Sequence, residues 1–242
     1  MLKLFGYYVK EQQTKLIWLF GISLALILVS LMLSHFEHPL WQTLGSISMV
    51  ASFMVCALAV FAVLLISTLQ FKDTFYTGPA YLFRTLPFSR LQLFACCFGS
   101  ALLCLFESML WLVLMVMIRF YADLDGLFAS IAGLTDMSLL WLALAIYLQG
   151  TVLLLIGDLG IVFGFSRKSD KLAWSLLGMV GLYVLTNLVM AIGILPATFS
   201  ALDDLEQINL LVIEIALIYF AVAAVYAVAL CVRLKNGVDI DG

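Results

Sequence analysis

Leu16 to Ser34 reads Leu-Ile-Trp-Leu-Phe-Gly-Ile-Ser-Leu-Ala-Leu-Ile-Leu-Val-Ser-Leu-Met-Leu-Ser and holds no charged side chain. A helix of that length rises about 28 Å, close to the roughly 30 Å hydrocarbon core of a bilayer. Lipid offers the backbone no hydrogen-bond partner, so a spanning segment must satisfy its own amides, and a helix does this within one run. A barrel strand would alternate apolar and polar side chains over about ten positions, and this stretch does not alternate. It is therefore read as a transmembrane helix, and it sets the pattern for the rest of the chain.

Working outward, the polar cluster His35, Glu37, His38 and Pro39 closes this span, and apolar runs follow at 43–69, 91–118, 138–163, 172–195 and 208–232, with Pro196 stopping the fifth. Hydrophobic residues make up 65% of the 242 positions and charged ones 11%, against about 45–50% and about 25% in soluble domains. The expected fold is an all-α, polytopic membrane protein of six transmembrane helices, forming one transmembrane domain over residues 1–242. Spans two and three approach about 40 Å, so they tilt or extend past the membrane surface. Upstream, Leu2, Phe5 and Val9 recur at helical spacing among lysines, which predicts an interfacial helix over 2–15 along the inner leaflet. No small-residue cleavage site follows the first run, so it reads as an uncleaved span.

Of the 12 lysines and arginines, all but Arg119 fall on one side of these spans. The positive-inside rule then places both termini, and the loops after spans two and four, in the cytoplasm. The basic residues build no continuous stripe, so nucleic acid is not an expected partner. Cys56, Cys96, Cys97, Cys104 and Cys231 lie in or at the ends of apolar runs, where cysteine acts as a small hydrophobe. The chain has no Gly-x-x-x-x-Gly-Lys-Ser/Thr loop, no His-Glu-x-x-His and no Gly-x-Ser-x-Gly. ATP hydrolysis, metalloprotease and serine-hydrolase chemistry lose their motifs with them.

The stretch most informative about function is Gln70 to Gln92, which includes Phe71-Lys72-Asp73 and Gly78-Pro79-Ala80-Tyr81-Leu82-Phe83-Arg84-Thr85-Leu86-Pro87-Phe88-Ser89-Arg90. Thr77 can cap a short helix in which Pro79 needs no amide donor, and Pro87 ends it about two turns later. Leu82, Phe83 and Leu86 would share one face of that helix. Ser89 and Gln92 form a Ser-x-x-Gln capping box at the head of the third span.

This segment resembles the coupling region of permease subunits of ABC exporters, the class that carries drugs, peptides and polysaccharides, where Phe-x-Asp, then Gly, then Leu-Pro-x-Ser-Arg recurs. Phe71, Asp73, Gly78, Leu86, Pro87, Ser89 and Arg90 match the pattern. The amphipathic N-terminus, six spans and basic tail look like the same family over nearly the whole chain. Two features depart from it: Phe94 to Cys97 stand where members often carry a lysine, and the outer segment before the last span shrinks to Ala197–Gln207.

The resemblance implies a short cytoplasmic coupling helix between spans two and three, with Asp73, Gly78, Leu82, Phe83, Arg84, Leu86, Pro87, Ser89 and Arg90 contacting a cytosolic ABC ATPase. ATP and magnesium would bind that ATPase, with no cofactor and no metal on this chain. A second permease chain, identical or related, would complete a dimer in a bacterial plasma membrane. A non-transporting scaffold or immunity protein is the alternative.

Three carboxylates interrupt apolar runs: Glu107 near the middle of the third, Asp158 in the fourth and Glu214 in the sixth. A charge at the bilayer centre costs at least about 2.5–3.5 kcal/mol, so such groups face the bundle or a wet cavity. Glu107 and Asn187 are the expected pathway residues, with Asn187 or Gln149 as hydrogen-bond partners of Glu107 if that residue is structural instead. Asp158 is expected to pair with Arg167, Lys168 or Lys171. Gly157, Gly160 and Gly164 in span four, with Gly178 and Gly181 in span five, offer small surfaces for close helix packing. His35 and His38 flank Glu37 but lack a further ligand, so they are read as interfacial polar residues.

Overall fold

A computed structural model of the chain describes residues 1–36, 38–76, 88–119, 136–167, 169–200 and 205–235. Among them run six helices: α1 (Leu2–Ser34), α2 (Pro39–Phe75), α3 (Arg90–Arg119), α4 (Asp136–Phe165), α5 (Lys171–Ser200) and α6 (Leu205–Lys235). All six are long and apolar enough to cross a membrane, and the chain is a multi-pass membrane protein. The expected spans all fall inside these helices. With 37 residues, α2 rises roughly 55 Å, far more than the hydrocarbon core requires.

Two expected boundaries differ. Residues 2–15 are not a separate interfacial helix but the first turns of α1, which is unbroken for 33 residues. The buried stripe there is Tyr8, Gln12 and Leu16, whereas Leu2 is 87% exposed. A glutamine in the stripe conceals it from a purely apolar pattern. Pro196 also fails to stop α5, which continues to Ser200. A proline removes one backbone donor, and a helix near its end tolerates that loss.

The helices form two compact units, Met1–Ile66 with Gly99–Ile131, and Ser67–Phe98 with Ala132–Gly242. In the first unit, α1 and the adjoining part of α2 make an antiparallel hairpin joined by serines. Ser30 Oγ donates to the Gly45 carbonyl at 2.8 Å, Ser48 Oγ to that of Leu26 at 2.7 Å and Ser52 Oγ to that of Ser23 at 2.8 Å. Hydroxyls serve here because two apolar helices in lipid gain little from burial, while a hydrogen bond between them has no competing water.

Helix α1 runs parallel to α3. Gln12 Nε2 reaches Ser100 Oγ at 3.5 Å and Trp111 Nε1 donates to Ser23 Oγ at 2.8 Å, both across 88 residues. A constant chain offset is what two parallel helices in register produce. Ile27, Cys56 and Met115 form the apolar core where the three helices of this unit meet.

In the second unit, α4 packs on both α5 and α6, and α5 packs on α6. The α4–α5 hairpin is tight because α4 presents glycines to it. A Cβ at Gly164 would collide with Ser175 Oγ and the Lys171 carbonyl, and one at Gly160 with Met179. The turn closes through Asp170 at φ 51°, a left-handed conformation that aspartate tolerates. Between α5 and α6, Thr186 Oγ1 and the Tyr226 hydroxyl share a buried 2.9 Å hydrogen bond.

Candidate functional site

Two places in the described residues gather the features that the sequence singles out. The first flanks the segment expected to couple to an ATPase. Gly78, Leu82, Phe83, Arg84, Leu86 and Pro87 lie outside the described residues, as does the expected helix that holds them. The residues on both sides are described. Asp73 is in the last turn of α2, exposed, and Arg90 begins α3. Ser89 and Gln92 form the expected capping box: the Ser89 amide donates to Gln92 Oε1 at 2.9 Å, and the Gln92 amide to Ser89 Oγ at 3.3 Å. Two otherwise orphaned donors at the helix start are thereby satisfied.

The end of α2 is fixed as firmly. Phe71 is 1% exposed and packs at 4.8 Å, centroid to centroid, on Phe75, at 6.4 Å on Tyr76 and edge-on at 6.3 Å on Phe94 of α3. Tyr76 in turn packs on Phe165, the last residue of α4, at 5.0 Å. One helical stretch earlier, the space a Cβ would fill at Gly157 is taken by Thr68, whose Oγ1 would lie 2.5 Å away. The pairs Thr68–Gly157 and Tyr76–Phe165 share one chain offset, so the end of α2 runs parallel to α4. The Tyr76 hydroxyl is buried with no hydrogen-bond partner among the described residues. Burial pushes its phenol well above the usual range, the Arg90 cation opposes this, and Asp158 adds to it.

Asp158 is only 5% exposed. Its expected partner Arg167 is engaged elsewhere, with its guanidinium 5.4 Å over the Phe163 ring and 5.1 Å over that of Trp174. Among the described residues Asp158 makes no ion pair; Lys168 is outside them. The ring faces win Arg167 because the α4–α5 turn stacks Phe163 edge-on against Trp174 at 6.2 Å, presenting two π surfaces to one cation.

The second place centres on Glu107, which is half-buried in α3. Its partner is neither Asn187 nor Gln149 but Gln13 of α1, whose Nε2 lies 2.8 Å from one carboxylate oxygen and 3.0 Å from the other. Asn187 is in the other unit, exposed, and its amide donates to the Tyr183 carbonyl of its own helix at 2.8 Å. A shallow groove of about 550 Å³, open along one side, lies beside Glu107 and is lined by Phe20, Leu110, Trp111, Val113, Leu114 and Met117. Phe20 and Trp111 pack at 5.3 Å with their rings tilted, and the bond from Trp111 to Ser23 fixes the indole. Sequence reading missed Gln13, Phe20 and Trp111. The only available signal was the run of polar residues at 12–14 on a helix that proves continuous with the first span.

Both histidines serve helix ends. His35 Nδ1 lies 2.9 Å from the Leu31 carbonyl, and His38 Nδ1 accepts the Leu40 amide at 3.3 Å. No group of three metal-ligating side chains occurs among the described residues. No family model, curated protein or solved structure matches the chain.

Proposed function

We propose that the chain is the membrane-spanning permease subunit of an ATP-driven ABC exporter in a bacterial plasma membrane, with both termini in the cytoplasm. It pairs with a second permease chain and couples hydrolysis by a separate cytosolic ATPase to export of a drug, an antimicrobial peptide or a lipid-like substrate. ATP and magnesium belong to that ATPase. The observation that carries this reading is the fixing of both flanks of residues 77–87. On one side Tyr76 is packed between Phe71 and Phe165; on the other, the Ser89–Gln92 box locks the start of α3. Close-packed interiors transmit displacement rather than absorb it. Flanks fixed in this way move with α2, α3 and α4, as the anchors of a force-transmitting contact must. The overlong α2 supports the same conclusion, since it has length to spare beyond a bilayer.

The test is co-purification with the ATPase encoded beside this gene, comparing wild type with a variant carrying D73A, L82A and R84A. A stoichiometric complex with wild type, lost in the variant, is the expected result. Folded wild-type protein that captures no ATPase overturns the exporter assignment and favours the scaffold.

A further inference from the structure

We propose that the groove between α1 and α3 binds an amphiphilic organic cation, its charged centre held by the Glu107 carboxylate and the faces of Phe20 and Trp111. Its apolar part lies along Leu110, Leu114 and Met117.

Three features of the groove converge on this ligand class. A carboxylate has about four acceptor positions, and the Gln13 amide at 2.8 and 3.0 Å occupies one side of the pair. Acceptor capacity therefore remains for a cation entering from the groove. The two aromatic rings, 5.3 Å apart, line the same groove as the carboxylate, and ring faces attract cations most strongly where water is scarce. The remaining wall is aliphatic, with Leu110 53%, Leu114 43% and Met117 48% exposed, and so covers an apolar body but offers nothing to a second polar group.

This last point separates a free lipophilic cation from a lipid headgroup. The phosphate of a zwitterionic lipid would lie against Glu107 with no basic residue in the lining to receive it. On α1, Lys15 is paired with Glu11 at 2.8 Å. An anionic ligand is disfavoured on the same ground. The role of the groove as a substrate site rests on the proposed export function, whereas binding itself needs no ATPase.

The test is equilibrium binding of tetraphenylphosphonium to the purified full chain in phosphatidylcholine nanodiscs, with tetraphenylborate as the anion of the same shape. Saturable binding of the phosphonium, no competition from the borate, and roughly tenfold weaker binding by E107Q with recovery in E107D are expected. W111L should weaken it a few-fold through loss of the ring face. Equal binding of both probes overturns the proposal on wild-type protein alone, whatever the folding of the variants, and so does unchanged affinity in E107Q. Loss of phosphonium binding when phosphatidylethanolamine replaces phosphatidylcholine would assign the groove to a lipid amine instead. Cation binding by a chain that captures no ATPase would sink the export role and leave the site standing; ATPase capture without cation binding would do the reverse.

Discussion

Gln13 Nε2 lies within hydrogen-bonding distance of both carboxylate oxygens of Glu107, 94 residues further along the chain. In sequence Glu107 sits near the middle of the third apolar run. In the fold the offset of 88 between the parallel α1 and α3 sets its backbone level with Leu19, and Gln13 reaches its carboxylate from the polar start of α1. The side chain that would be isolated on one helix is provided for by its neighbour.

That relationship predicts a measurable coupling. In a double-mutant cycle of Q13A and E107A, unfolding in detergent should return an interaction of about 0.6 kcal/mol, with about 1.7 kcal/mol as the upper range for polar pairs between membrane helices. A coupling indistinguishable from zero would mean that the pair is incidental.

The α4–α5 hairpin makes a contrast between two glycines. G164A places a methyl group against Ser175 and Lys171 and should destabilise the chain by about 1–3 kcal/mol. Gly181 has nothing within 4 Å of an added Cβ, so G181A should stay within about 0.5 kcal/mol of wild type. Equal effects in thermal unfolding would contradict this packing. Of the five small residues that the sequence marks for close approach, Gly181 is the one the described structure leaves open.

Removal of the Ser89 hydroxyl tests the head of α3. S89A should cost about 1 kcal/mol, the usual magnitude for an N-cap, and Q92A a similar or smaller amount. If the proposed coupling holds, S89A should also weaken ATPase capture, since the start of α3 would fray. Full capture together with full stability would argue against both roles.

Tyr76 gives a pH signature. Its phenol is held above the ordinary value of 10.0 chiefly by burial, so the folded state keeps its proton after the unfolded state has lost one. The folded state is therefore fully stable with respect to this group below about pH 10 and loses stability as the pH rises beyond that. Denaturation measured from pH 9 to about pH 11.5 should fall less steeply in Y76F than in wild type. At neutral pH, Y76F should cost nothing or stabilise by up to about 1 kcal/mol, because a buried hydroxyl without a partner is removed. A clear loss at neutral pH would show that the hydroxyl is satisfied.

What the sequence determined by itself is the solvent and, with it, the fold class. Nineteen uncharged, mostly apolar positions from Leu16 to Ser34 and their five counterparts can satisfy their backbones only as helices once water is excluded. Capping is equally local, which is why Ser89 and Gln92 were legible in advance. The tertiary structure alone decided which polar groups meet. Gln13 finds Glu107, Ser30 finds the Gly45 carbonyl and Arg167 finds two rings instead of Asp158. Helices that are apolar on every face carry no periodic mark of which face turns inward, so their register is set by a few serines, glycines and amides. The energies of those contacts exist only once two helices lie side by side.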